Sequence, residues 1–170
     1  EYVEKIAPVA QPLFHLGFKN TPASEQENVA NQLKDEILLD IIAGDGSKLY
    51  RRLYDEGLIN AEFGYEAMSV RDYSMTLFAG ESREPKRVRD ESIGEIPRLK
   101  REGIDREACE RAKKALYGTY IGQFGRVESV ATFLMSSHFA GCEIYRILEM
   151  LAALTLEDVE ERLQNSLDVN

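Results

Sequence analysis

Apolar positions along this chain fall first into short, partly alternating runs bounded by glycine and proline, and later into long stretches with helical spacing. Residues 11–19 (QPLFHLGFK) set aromatic and aliphatic side chains around Gly17 and predict a strand, with Pro12 near its start, where a missing N–H is tolerated. Ser24 and Glu27 form an S-x-x-E capping box, so a helix is expected to begin there. Val29, Leu33, Ile37 and Ile41 recur four apart as its buried stripe, flanked by Ala30, Leu38 and Ile42. The stretch 38–59, LLDIIAGDGSKLYRRLYDEGLI, then reads as a helix end, a glycine-hinged break and a second short amphipathic helix. Gly44 is expected in the left-handed conformation that closes the first helix, and Ser47 as the N-cap of the second. Leu49, Tyr50, Leu53 and Tyr54 carry the helical spacing until Gly57 stops it.

Residues 61–70 and 73–79 alternate in part and are joined by the polar pair Arg71-Asp72, the pattern of an antiparallel hairpin. A lone hairpin is unstable, so these strands belong to a larger sheet. Pro85 at a first helical position opens a helix with Val88, Ser92, Ile96 and Leu99 on one face, whose second half Gly94 and Pro97 are expected to weaken and bend. Asp105 reads as the N-cap of a long helix through Tyr120, with Ala108, Ala112, Ala115, Leu116 and Thr119 on a face of mostly small residues. Gly122 and Gly125 bracket Phe124 and end it. Residues 127–139 continue as a helix through Ala131, Leu134 and His138 until Gly141, residues 143–151 form a shorter one, and Thr155 with Asp158 caps a last helix holding Val159 and Leu163. Early strands and late helices predict an α+β fold, an antiparallel-rich sheet covered on one side by helices.

Composition narrows the partners. At 170 residues and 44% hydrophobic content the chain suits a single domain over residues 1–170 with its own core. Its 30 acidic and 21 basic residues give a net charge of -9, which repels phosphates and anionic lipid. The most basic stretch, residues 83–101, is interrupted by Glu84, Asp90, Glu91 and Glu95 and reads as a solvated helix face, so no nucleic-acid partner is expected. No apolar run approaches the roughly 18 residues of a membrane span, and no membrane partner is expected. Cys109 and Cys142 lack the close spacings of a disulfide scaffold or zinc knuckle, and residues 1–170 contain no secretory-signal pattern, so a reducing, cytoplasmic setting is expected. Glu1 stands where an initiator methionine would, and residues 1–6 read as the tail of an earlier segment. The chain is expected to be excised from a longer, two-domain polypeptide.

Candidate chemistry is sparse. His15 lies in a predicted strand and His138 on an apolar helix face, neither with a second histidine or carboxylate at metal-ligand spacing, and both read as packing or backbone-bonded histidines. HExxH and HxxEH are both missing, and no serine sits in a GxSxG elbow. Cys109, among Glu107, Glu110 and Arg111 on a helix surface pattern, has nothing to lower its pKa, and both thiols read as inert. Residues 44–48 (GDGSK) suggest a phosphate loop, but they match neither GxxxxGK[ST] nor GxGxxG and follow a helix where both motifs need a strand. No catalytic residue and no metal ligand is assigned.

One resemblance then organises the pattern. The helix ending in LLDIIAG, the serine-capped SKLYRRLYDEGLI, the strand pair after it, REACERAKKALYGTYIGQFGRVESVATFL and the closing LAALTLEDVEERLQ resemble, in that order, the C-terminal domain of the M16 metallopeptidases. This insulinase or pitrilysin family includes the mitochondrial processing peptidases, and the resemblance covers nearly the whole chain. It implies an M16 peptidase half-domain, processing-peptidase-like in fold, that repeats the zinc-bearing half without its metal. An N-terminal domain with HxxEH would supply zinc and the general base, and a second M16 subunit, alike or unlike, is an expected partner. This domain would close the chamber around a peptide or unfolded segment, so no cofactor is expected within it and the fragment alone is expected to be inactive.

Many such domains hold substrate with an arginine near the corner and a tyrosine seven residues later. With Leu53 on the leucine of the family's LR pair, Tyr54 stands at the arginine position and Ala61 at the tyrosine position, so the pair is absent. A shifted alignment offers Arg51 or Arg52 with Tyr65, at the cost of an insertion. Arg51, Tyr54 and Ala61 are therefore the substrate-contact candidates on a corner expected to face the chamber. Two readings of other classes stand beside this one: an assembly or scaffold domain of an M16-like protein without peptidase activity, and an unrelated α+β binding module whose acidic surface serves protein partners.

Overall fold

A computed structural model describes residues 2–69 and 72–168, the side chain of Gln26 excepted. Strand β3 (Ser74–Glu81) lies between β1 (Leu13–Asn20) and β2 (Gly64–Ser69) in an antiparallel sheet of order β1-β3-β2. Because side chains alternate across a strand, the register sorts them into rows. Leu16, Phe78 and Tyr65 form a row on one face, with Phe78 fully buried, while Gly17, Leu77 and Glu66 form a row on the other, where Gly17 and Glu66 are exposed. The inner face packs on α1 (Glu25–Ala43), whose Leu33, Ile37, Leu38, Leu39 and Ile42 are all but inaccessible. Five further helices complete the layer after the short α2 (Lys48–Asp55): α3 (Pro85–Glu102), α4 (Arg106–Gly122), α5 (Val127–Phe139), α6 (Ile144–Ala153) and α7 (Leu156–Asn165). The expected α+β arrangement, a sheet with helices on one side, is what forms, and a single connected core joins both layers.

Local signals explain most boundaries. The Ser24 N–H donates to Glu27 Oε2 at 3.1 Å and its hydroxyl donates to the same oxygen at 2.6 Å, while Asn28 bonds both backbone groups of Ala23. The Ser24 hydroxyl and N–H bonds hold the Glu27 carboxyl below its ordinary range. Asp105 accepts from the Ala108 N–H at 2.8 Å to start α4, and Thr155 with Asp158 forms the expected box at α7. β2 starts three residues later than its apolar pattern, because Asn60 accepts from the Glu62 and Phe63 N–H groups and holds residues 60–63 as a turn. Of the predicted Arg71-Asp72 hairpin connection, Arg71 lies outside the described residues, as does Val70, the predicted last residue of the strand before it.

α3 forms one helix through Gly94 and Pro97, since burial of Val88, Ser92, Ile96 and Leu99 outweighs the local cost. Two expectations fail in the helical layer. On α4 the buried stripe runs through Cys109 and Ala112 to the half-buried Leu116 and Tyr120, whereas Ala115 and Thr119 are exposed. Cys109 is thus a core residue, 3% exposed, and not the surface thiol its charged neighbours suggested. On α5 the predicted Ala131, Leu134 and His138 stripe faces solvent, and Val130, Phe133 and Ser137 turn inward. α7 is fixed to α1 by a feature periodicity could not show: Arg162 donates through Nε and Nη2 to the two oxygens of the buried Asp35, at 2.8 and 2.6 Å. Among the described residues no helix is long and apolar enough to cross a membrane.

Candidate functional site

The corner between α1 and β2 is built around Asp40. Tyr65 of β2 donates its hydroxyl to Asp40 Oδ1 at 2.8 Å, tying the last turn of α1 to the sheet. Burial foremost, then that bond and the negative charges of Asp40, Asp45 and Glu36, push the Tyr65 hydroxyl well above its ordinary range. Gly44 does not adopt the expected left-handed conformation; its backbone is extended at φ -66°, and its N–H donates to Asp40 O at 2.9 Å. Glycine is needed there because a Cβ would meet Asp40, with the backbone oxygen at 2.6 Å and the carboxylate nearer still. The signal missed in the sequence is Asp40 itself, one acid inside the apolar LLDIIAG run, four residues before the glycine it crowds.

From Gly44 the chain turns tightly into α2. The Ser47 N–H donates to Gly44 O at 2.7 Å, and Ser47 Oγ accepts from the Tyr50 N–H at 3.0 Å, the expected cap. Leu49 and Leu53 are buried, and Gly57, at φ +68°, takes the left-handed conformation that lets the Leu58 N–H return to Leu53 O.

The outward side of α2 carries two of the three substrate-contact candidates. Arg51 is exposed and makes no ion pair among the described residues, while its neighbour Arg52 pairs with Glu91 at 2.6 Å. Tyr54, 51% exposed, stacks on Tyr50 with ring centroids 5.8 Å apart and planes 10° apart. Tyr50 lies 6.1 Å from Phe63, which stacks on Phe78, so an aromatic chain runs from the surface into the core. Burial, then the charge of Asp45, raise the Tyr50 hydroxyl. Ala61 is exposed in the turn before β2, off the helix that holds the other two. Tyr65, the tyrosine of the shifted alignment, commits its hydroxyl to Asp40 and not to an arginine.

Hydrolytic groups do not assemble at this corner. His15 is exposed on the outer sheet face, and His138 is exposed on α5 with its ring 5.9 Å from that of Phe139. Burial raises both the Cys109 and Cys142 thiols, which favours the inert protonated form. No group of three or more His, Cys, Asp or Glu side chains among the described residues could hold a metal ion. What the corner offers is an exposed cation and a stacked, half-exposed ring, suited to contacting a polypeptide.

A sheet with helices on one side, led by the Ser47-capped corner, defines an M16 peptidase half-domain. Residues 1–116 match the family described as Peptidase M16 inactive domain, and the chain belongs to that family. It is similar to the uncharacterized zinc protease YmfH of Bacillus subtilis (strain 168), with 25% identity over 155 residues covering 91% of this chain and 36% of that protein. Among solved structures it is similar to an M16-like peptidase from Alicyclobacillus acidocaldarius, with TM-score 0.87, 25% identity, and coverage of 95% of this chain and 39% of that one. The inactive peptidase domain of a zinc protease from Bordetella parapertussis shares the fold at TM-score 0.75 and 12% identity, covering 95% of this chain and 91% of that one. The chain therefore spans little more than a third of its curated relative's length.

Proposed function

We propose that this chain is the non-catalytic substrate-chamber domain of a two-domain M16-type zinc-dependent peptidase acting on peptides or unfolded segments in the cytoplasm. Membership of the inactive-domain family carries this reading. The outward display of Arg51 and Tyr54 on a rigidly capped helix supports the corner as the surface that meets substrate. An N-terminal domain of the same polypeptide would hold the zinc, which would supply polarisation of the scissile carbonyl and activation of water there. This chain's own part is positioning: Arg51 hydrogen-bonds peptide carbonyls, Tyr54 stacks on a side chain, and Ala61 leaves room beside them. A second M16 subunit completes the enclosure and supplies the arginine and tyrosine that this corner lacks.

The test uses the full-length protein. Arg51→Ala with Tyr54→Ala is expected to lower kcat/KM on an unstructured fluorogenic peptide by about tenfold, the scale of a lost positioning contact, with zinc content unchanged. Unchanged kcat/KM removes the corner from substrate contact, and stoichiometric zinc retained by this chain alone after dialysis overturns its non-catalytic assignment. A full-length protein with neither zinc nor hydrolysis is instead an assembly domain.

A further inference from the structure

The helical layer holds a trough that the corner does not use. Tyr120 of α4 and Phe133 of α5, ring centroids 5.3 Å apart, form the shared wall of two adjoining pockets against α1. The larger pocket, about 460 Å³, is lined largely by apolar groups, among them Val29, Leu33, Ile147 and the 79% exposed Phe139. The smaller, about 320 Å³, has Glu36 on its α1 side.

Glu36 differs from the acid beside it. Asp35 points into the core and is matched by Arg162, whereas Glu36 makes no ion pair among the described residues. Its Oε1 accepts from Gln32 Nε2 at 2.9 Å and its Oε2 from the Tyr120 hydroxyl at 3.3 Å, and both donors are neutral. Among the described residues no lysine or arginine lines either pocket. Burial, helped by the charge of Asp35, raises the Glu36 carboxyl. Folding has already removed much of the water around this carboxylate, so an arriving cation recovers energy that the neutral donors leave unclaimed. The faces of Tyr120 and Phe133 favour a cation as well, and the chain's net charge of -9 attracts basic segments.

We propose that this trough binds a polypeptide segment carrying an arginine or lysine beside a large apolar side chain, Glu36 taking the cation and the pocket between Val29 and Phe139 the apolar group. Binding here is independent of the chamber reading, because it is measured on this chain without a zinc domain.

Two probes, acetyl-Phe-Arg-amide and its neutral twin acetyl-Phe-citrulline-amide, are titrated into the 15N-labelled chain. Saturable shifts centred on Gln32, Glu36, Tyr120 and Phe133 are expected for the arginine probe with Kd near about 1 mM, and about tenfold weaker binding for the citrulline probe. Glu36→Gln is expected to weaken the arginine probe about tenfold and leave the citrulline probe unchanged. The comparison of probes on the unaltered chain needs no variant. Equal affinity for the two probes, no saturable shift up to about 10 mM, or an arginine affinity unaffected in a folded Glu36→Gln variant overturns the proposal.

Discussion

Replacing Arg162 with methionine isolates the buried link between α7 and α1. The methionine keeps most of the apolar stem, so the change is chiefly the loss of two charge-assisted hydrogen bonds to an acid whose side chain is 2% exposed. Each such bond contributes about 1.5–3 kcal/mol, and buried pairs broken on one side cost about 3–5 kcal/mol, so a loss of about 4 kcal/mol is expected near neutral pH. That is a large share of the roughly 5–15 kcal/mol that holds a domain together. The pH dependence supplies the sharper check. Burial already holds the Asp35 carboxyl above its ordinary range despite the hydrogen bonds from Arg162, and removing the guanidinium raises it further. A carboxyl raised on folding binds more protons folded than unfolded; its contribution is full below the unfolded pKa and is lost as pH rises through the folded one. Arg162→Met should therefore fall furthest behind the native protein near about pH 7 and recover part of the deficit toward about pH 4. Urea unfolding followed by far-ultraviolet circular dichroism across that range measures it. A deficit under about 1 kcal/mol at the upper end, or one that does not shrink as pH falls, refutes the reasoning.

Gly44→Ala should cost about 1–3 kcal/mol, because its Cβ would press on the Asp40 backbone and carboxylate, whereas Gly46→Ala, whose Cβ meets nothing within 4 Å, should stay within about 0.5 kcal/mol. Thermal unfolding of the two variants separates a packing requirement from a general need for glycine in the loop, and equal costs would count against it. Thr76→Val should raise stability by about 1 kcal/mol, since the Thr76 hydroxyl is fully buried in β3 without a hydrogen-bond partner among the described residues and valine has nearly its shape. A lower Tm for Thr76→Val would show that the hydroxyl has a partner.

Elements whose signals are local were legible in the sequence. Ser24, Ser47, Asp105 and Thr155 mark the starts of their helices, because a cap is satisfied by residues two or three positions away. The one-sided sheet followed from the order of periodicities, strands first and helices after. Contacts between distant segments were not legible. Tyr65 with Asp40 spans 25 positions and Arg162 with Asp35 spans 127, and neither pair leaves a periodic trace. Gly44 shows how a right residue can carry a wrong reason: glycine at a helix end suggests a left-handed turn, and the requirement here is the space that Asp40 occupies.

The errors on α4 and α5 share one cause, which also bears on the trough. Alanine is nearly indifferent to burial, so a run such as Ala108, Ala112 and Ala115 fits several faces of a helix, and only Cys109, Leu116 and Tyr120 break the tie. α5 carries apolar residues on more than one side: Phe133 turns inward, while Val127 is 83% exposed, Leu134 50% and Met135 56%. Periodicity weights all of them alike and selects a stripe that solvent covers. The residues that decide the face are aromatic, Tyr120 against Phe133 and Phe133 against Phe124, and they meet across helices and not along one. The same ring contacts that fix the register of α4 on α5 hold open the wall beside Glu36. The face that sequence periodicity could not assign is therefore the one that meets Glu36 of α1, a carboxylate without an ion pair among the described residues, beside an apolar pocket.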